Sequence, residues 1–362
     1  MAVNAKTGRH TQVRGVGRIL NTELVPFSRQ ISSMLRAGMS LVVSLSTVEE
    51  QVVNPNFKAV VTGIRETVEG GGSFSDGLAR FPRIFDDLYI NIVRAGERSG
   101  QFSESMARLS ILLEASAKLR RKVRSALAYP IVVLTLALGI AAAMIIFVMP
   151  IFGSMFEDFG HALPLPTQIL LNFSDFLRSF WWLVILVVGG GVAGFKHWTR
   201  TDRGAFLYDR FKLRMPVFGP LNQRVAISRF AGIFSQMIHS GVPILDALRI
   251  VAKACGNRVV GQSIMEARKT VESGEPLAGG LEQKEGIPLL VVRMTAAGER
   301  SGKLDEMLDH IAKTYDDEVE TMLATLTSLM EPILMAFLGV LIGGIVISMY
   351  LPIFKMSSII GN

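Results

Sequence analysis

Residues able to do chemistry are few in this sequence, and their spacing argues against a reaction. A phosphate-binding loop needs Gly-x-x-x-x-Gly-Lys followed by Ser or Thr, between a strand and a helix, so that backbone amides cradle the phosphates and the hydroxyl holds magnesium. Gly298 to Lys303 reads Gly-x-x-x-Gly-Lys and is followed by Leu304, one residue short and without the hydroxyl. The five histidines, His10, His161, His197, His239 and His310, have no paired spacing for a metal. Asp316, Asp317, Glu318 and Glu320 are dense enough to attract a divalent cation. Consecutive carboxylates on a helix point in different directions, however, so a solvated helix face is the better reading. Cys255 is the single cysteine, which excludes an intramolecular disulfide and every cysteine-rich cluster. No catalytic, cofactor or metal site is expected.

What does recur is a hexapeptide. Ala95-Gly96-Glu97-Arg98-Ser99-Gly100 returns whole as Ala297-Gly298-Glu299-Arg300-Ser301-Gly302. A left-handed C-terminal cap explains a helix ending at Ser99-Gly100, but a cap does not require the same Glu-Arg pair twice. Two readings stay open for Glu97, Arg98, Glu299 and Arg300: an intramolecular salt bridge that braces a bundle, or a docking surface for a partner.

The elements that position these turns follow from composition. The chain has 362 residues, enough for two or three domains. Only 19% of them are charged, and the mean hydropathy is +0.39. That apolar excess points to a membrane. Long uncharged windows predict spans at 126–150, 179–195 and 332–354, each set against a hydrocarbon core of about 30 Å. The middle one is marginal in length, the alternative being a buried hairpin helix. Arg178 and Lys196 can snorkel outward from it, and Trp181, Trp182 and Trp198 all sit at its ends. The first twenty residues carry Lys6, Arg9, Arg14 and Arg18 with no apolar core behind them, so no cleaved signal is expected.

Orientation follows from the positive-inside rule. Lys118, Arg120, Arg121, Lys122 and Arg124 precede the first span, and Lys196, Arg200, Arg203, Arg210, Lys212 and Arg214 follow the second. The stretch between those spans is acidic, with Glu157, Asp158 and Asp175 against Arg178. The N-terminus is therefore read as cytoplasmic. The basic cluster could instead serve to bind nucleic acid or anionic headgroups, but it lacks the interleaved aromatics of a nucleic-acid surface, so setting the topology is the better reading. Membrane lipids are expected around the chain, and no direct nucleic-acid contact. This gives a basic tail at 1–24, a cytoplasmic helical bundle at 25–125, a periplasmic loop at 151–178, a cytoplasmic linker and second bundle at 196–331, and a periplasmic tail at 355–362.

The duplication extends beyond the hexapeptide. At an offset of 203, Phe27, Ser32, Met34, Gly38, Leu45 and Val48 match Phe230, Ser235, Met237, Gly241, Leu248 and Val251. Pro130-Ile131 and Pro150-Ile151-Phe152 match Pro332-Ile333 and Pro352-Ile353-Phe354. The unit is a soluble domain plus one span, so keeping both copies on one side needs an extra span between them. Apolar residues at i, i+4, i+7 and i+8, such as Phe27, Ile31, Met34 and Leu35, predict helices, about six in each copy. The fold class is thus all-α: a polytopic membrane protein with two duplicated cytoplasmic bundles and three transmembrane helices. The spans carry no internal ionisable residue, which is unfavourable for a small transporter or channel subunit, the alternative reading. They carry small residues at four-residue spacing, Gly139 and Ala143, Gly190 and Gly194, Gly339 and Gly343, which suit close packing within the chain or between copies.

With these features in place, the sequence resembles the inner-membrane platform proteins of bacterial type II secretion and type IV pilus assembly, the secretion-protein F family. The residues that carry the resemblance are the twin "AGERSG" turns, "KVRSALAYP" ending at Pro130, "TDRG" at 201–204, "RMPVFGPL" at 214–221, "SGVPILDAL" at 240–248 and "MEPIL" at 330–334. The resemblance implies a non-enzymatic, oligomeric scaffold of the bacterial inner membrane that needs no cofactor. Its implied partners are a cytoplasmic hexameric assembly ATPase, pilins or pseudopilins, other inner-membrane machine components and a second copy of itself.

The topology can be checked directly. Reporter fusions at Ala162 and after Asn362 should read as periplasmic, and fusions near Ala2 and Asn257 as cytoplasmic. A cytoplasmic signal at Ala162 would refute the orientation.

Overall fold

The structure, a computed structural model, describes residues 23–157, 164–216 and 218–360. The expected basic tail lies outside these residues except for Glu23 and Leu24. Among the described residues there is no strand.

The first copy begins with α1 (Leu24–Arg36), α2 (Leu41–Gln51), α3 (Pro55–Glu69), α4 (Phe74–Ala79) and α5 (Asp87–Ser99), and its sixth helix, α6 (Phe102–Ala143), continues without a break through Pro130. The second copy uses α11 (Phe218–His239), α12 (Ile244–Ala254), α13 (Arg258–Glu272), α14 (Leu277–Leu281), α15 (Leu289–Ser301) and α16 (Leu304–Ile360). From the second helix of each copy onward, the starts keep the sequence offset to within one residue, and some of the local signals are duplicated with them. Asn54 accepts from the Asn56 and Phe57 amides to start α3, and Asn257 accepts from the Val259 and Val260 amides to start α13. Each caps two of the amides that a helix N-terminus leaves without partners. The turns after α5 and α15 close on Gly100 (φ 73°) and Gly302 (φ 68°), in the left-handed region that favours glycine.

The apolar stripes do what their spacing predicts. Phe27, Ile31, Leu45, Val48, Phe57, Ile64 and Leu78 are buried in the first copy; Phe230, Phe234, Leu248, Val251, Val260 and Leu281 are buried in the second. Each such side chain contributes about 1.5–3 kcal/mol relative to exposure. Phe27 meets Phe57 edge to face at 5.5 Å between ring centroids, and the Tyr89 hydroxyl, fully buried, pairs with Ser28 at 2.9 Å. Burial pushes the Tyr89 phenol well above its ordinary range, so it stays a neutral hydrogen-bonding group.

The chain divides into two compact units. One holds the chain up to Arg121 and Phe206–Val319, and so contains both bundles; the other holds Lys122–Ala205 and everything from Glu320 onward. Among the described residues, three helices are long and apolar enough to cross a membrane, over Phe102–Ser154, Trp181–Trp198 and Leu304–Leu351. In the apolar unit, Ala141, Ile145 and Met149, at four-residue spacing, share one buried cluster with Ile345 and Met349, and Leu170, Leu171 and Leu177 pack against it. The helix of the middle span, α9 (Trp181–Trp198), buries none of its apolar window within the chain.

Two stretches read from the sequence as a loop and a linker are helical. Within 151–178 the chain forms the end of α7 (Met149–Glu157) and then α8 (Leu165–Ser179). The latter escapes a search for long uncharged windows because it is only 15 residues long and carries Asp175 and Arg178. In the linker, α10 (Asp202–Arg214) is tied to the second bundle, since Asp209 Oδ2 accepts from the Arg258 amide at 3.1 Å and Arg210 pairs with Glu285 at 3.0 Å. Between α6 and α7 lies a π turn, Met144–Val148. Pro150 explains its place: a proline inside a helix clashes with the carbonyl four residues earlier, and one extra residue in the turn relieves that clash.

Candidate functional site

The twin turns are assembled from three neighbouring elements in each bundle. In the first, Glu97 reaches from the last turn of α5 to the start of α4, where its Oε1 accepts from the Phe74 amide at 2.6 Å and from the Ser75 amide at 3.3 Å. Ser73 caps the next amide, that of Asp76. In the second bundle, Glu299 Oε1 accepts from the Leu277 amide at 2.6 Å and Oε2 from the Ala278 amide at 3.0 Å. Pro276 precedes that helix and offers no side-chain cap, so Glu299 does the whole task. Helices of five or six residues cannot stand alone, and an acidic side chain at the positive end of the helix suits both its free amides and its dipole.

The neighbouring positions have equally local reasons. A Cβ on Gly96 would fall 2.5 Å from the Ser105 Cβ, and one on Gly298 would fall 2.9 Å from the Leu304 Cα. Both glycines let α5 and α15 touch the helix that follows. The arginines are different. Arg98 and Arg300 are exposed, and neither has an ion-pair partner among the described residues. The structure thus forms no Glu-Arg salt bridge within either turn; it spends the glutamates on helix amides and leaves the arginines facing outward. Arg98 also lines an open groove with Arg94 on one side and Ser240, Pro243 and Asp246 on the other.

The acidic run is dispersed as its helical spacing predicts. Asp316 accepts from the Ser228 hydroxyl at 2.5 Å, Glu318 pairs with Arg224, and Glu320 pairs with Lys122 at 2.5 Å. No three His, Cys, Asp or Glu residues cluster as metal ligands among the described residues. Cys255 is buried, and burial pushes its thiol up, which keeps it protonated and poorly nucleophilic. Elsewhere on the first bundle, burial raises the Glu49 carboxyl, but hydrogen bonds from Arg65 and Thr62 outweigh it and hold the group below its ordinary value. Arg65 is shared with Glu69, making a brace between α2 and α3.

The small residues of the spans divide unexpectedly. Gly139, Gly190, Gly194, Gly339 and Gly343 have open space where a Cβ would stand, and Ala143 is exposed. Among the described residues, no neighbouring helix comes within 4 Å of a Cβ placed at any of these glycines. The small pair that does pack is Ala137 and Ala141, both buried. They share the four-residue spacing of the others, and only the partner helix distinguishes them.

These features define a class: a duplicated, all-helical membrane protein whose repeated polar residues hold its own helices in place. The chain belongs to the type II secretion system protein F family, whose model matches residues 27–150 and 230–352, one match for each copy. It is similar to the type IV pilus assembly protein PilC of Myxococcus xanthus, 41% identical over 96% of this chain and 84% of that one. It is 38% identical to the PilC of Pseudomonas aeruginosa over 94% of this chain and 91% of the relative. The type II secretion system protein F of Pseudomonas aeruginosa is 30% identical over 98% of this chain and 87% of the relative.

The division of labour in the turns predicts different outcomes for adjacent residues. Glu97→Ala or Glu299→Ala should destabilise its bundle by about 2 kcal/mol, the scale of charge-assisted bonds to otherwise unsatisfied amides. Arg98→Glu and Arg300→Glu should leave melting temperature and membrane abundance unchanged. Thermal melts of the purified full chain in detergent, with immunoblots of membranes, would check this; equal losses for glutamate and arginine variants would refute the assignment.

Proposed function

We propose that this chain is an inner-membrane platform of a type IV pilus machine, with a type II secretion machine as the related alternative. The observation that carries the reading is the family match falling twice, on each copy of a bundle joined to a span. The pilus system is favoured because the identity to the pilus assembly proteins, 41% and 38%, exceeds the 30% to the secretion protein. The platform couples a cytoplasmic hexameric ATPase to pilin or pseudopilin assembly and performs no reaction itself. A sequence without a complete phosphate-binding loop or paired metal-ligand spacing suits that role, and spans without Asp, Glu, Lys, Arg or His lack the residues that a transporter would need.

Arg98 and Arg300 are the docking candidates in this reading, since their glutamate neighbours are committed to helix amides. The first bundle is the favoured dock for the ATPase. Residues 1–129 hold eighteen Lys and Arg against eleven Asp and Glu, whereas 196–331 hold eighteen against seventeen. A positive face speeds encounter with an acidic partner and weakens with salt.

Two measurements test the proposal together. The purified chain should hydrolyse no nucleotide, yet change the turnover of the assembly ATPase encoded with it, and do so less as salt is raised. In cells, Arg98→Glu should abolish pilus assembly at normal protein abundance. Robust hydrolysis by the chain alone, surviving removal of contaminating ATPase, would contradict the platform role; normal piliation in both arginine variants would remove the docking assignment.

A further inference from the structure

The duplicated prolines at the ends of the first and third spans create a problem that the structure solves with one helix. Proline has no N–H, so the carbonyl that would receive it loses its helical donor. In the third span the residue four before Pro352 is Ser348, and its carbonyl accepts from the Thr167 hydroxyl at 2.6 Å. In the first span the π turn shifts the register by one. Met149 donates to the Met144 carbonyl, and the next residue is Pro150, so the carbonyl five before it, that of Ile145, is the one without a donor. That carbonyl accepts from the Ser174 hydroxyl, also at 2.6 Å. Thr167 and Ser174 both belong to α8, and both are buried, at 1% and 0% exposure.

The two hydroxyls are placed for this task. Seven residues separate them, close to two helical turns, which puts them on one face about 10 Å apart. Leu170, Leu171 and Leu177 occupy the same face and pack against the core formed by the two spans, whereas Ile169, Phe173 and Phe176 are exposed on the opposite side. A Cβ on Gly153 would fall 2.8 Å from Leu171, so glycine there permits the close approach of α7 to α8. Other helical hydroxyls in this unit behave differently. Thr135, Ser328 and Ser348 each donate to the carbonyl four residues earlier on their own helix. Thr167 and Ser174 instead reach across to another helix, each to a carbonyl that proline has freed.

We propose that α8 is a latch that fixes the first and third spans to one another, with the Thr167 and Ser174 hydroxyls gripping the two carbonyls that Pro352 and Pro150 leave without donors. In an apolar surrounding no water replaces a lost partner, so either bond resists rotation or sliding of the span it holds. The same prolines that repeat in both copies thereby supply matched grip points, and one of the helices between the copies, α8, uses both. The latch concerns the chain's own helices and does not rest on what the assembled machine exports.

A double-mutant cycle on the purified full chain tests it, because replacing the proline gives the carbonyl a donor of its own. Ser174→Ala and Thr167→Val should each lower the melting temperature in detergent, by about 2–4 °C. The loss from Ser174→Ala should shrink to less than half in a Pro150→Ala background, and that from Thr167→Val likewise in a Pro352→Ala background. Additive losses in either cycle would overturn the latch as a two-point device. A second readout needs no proline variant: cysteines introduced by Ala141→Cys and Ile345→Cys, which sit in the shared core of the two spans, should cross-link in native membranes. The yield should fall at least twofold when Ser174→Ala and Thr167→Val are combined, and an unchanged yield would equally overturn the proposal.

Discussion

Glu299 holds two amides at the start of a five-residue helix, and Ser174 holds one carbonyl near the end of a long one. Both side chains answer the same constraint: a backbone group that its own helix cannot satisfy must find a partner or remain costly. In water-facing bundles the cost of leaving such a group buried and unpaired is about 1–3 kcal/mol, and it rises to several kcal/mol in hydrocarbon. The chain contains many short helices with free amides and two membrane helices that contain proline. Asn54 and Asn257, Glu97 and Glu299, which recur in both copies, and Thr167 and Ser174, which do not, all serve such vacancies.

Comparing the two copies shows what that constraint preserves and what it releases. The asparagine caps Asn54 and Asn257, the turn glycines and the glutamates recur at matching positions, whereas the caps Ser40, Ser73 and Asp86 are replaced by Pro243, Pro276 and Pro288. The braces between helices do not recur. Arg65 bridges Glu49 and Glu69 in the first bundle, whereas Arg268 keeps the contact to Glu272 but donates its Nε to the Leu245 carbonyl, because alanine stands at 252 where the first copy has Glu49. The buried Ser28–Tyr89 pair likewise has no counterpart, since Ala231 and Val291 occupy the equivalent positions. Side-chain braces can be exchanged for other packing; backbone vacancies come with the helix itself.

This explains which parts of the structure were legible beforehand. Apolar stripes, helix breaks and the repeat are local properties, and they placed six helices per bundle and three spans. The twin Glu-Arg pair was recognisable as unusual, yet its meaning was hidden, because the amides that Glu97 serves lie 22 and 23 residues earlier and come near only through the fold. The same holds for Gly96, whose need is a contact with Ser105 on the next helix. In the spans, Gly139 and Ala141 look alike to any rule of four-residue spacing, but only Ala141 faces a neighbour within the chain. Thr167 and Ser174 leave only a faint signal, two hydroxyls seven residues apart in the stretch between two repeated prolines, because their helix is short and charged and the carbonyls they serve belong to other helices.

That stretch is where the duplication stops being a simple repeat. A bundle and a span, copied once, place the second bundle on the far side of the membrane unless one more crossing is inserted, and α9 has the length and hydropathy for it. The same copying brings two proline-freed carbonyls into one apolar core, and neither copy carries its own donor for them. Both deficits are met by residues found once, between the copies: α9 as the added crossing, and α8 as the source of both hydroxyls. Gly190, Gly194, Gly339 and Gly343 keep a different role open: among the described residues, no neighbouring helix lies within 4 Å of where a Cβ would stand at any of them, so these faces of α9 and the third span are left to lipid or to a second copy.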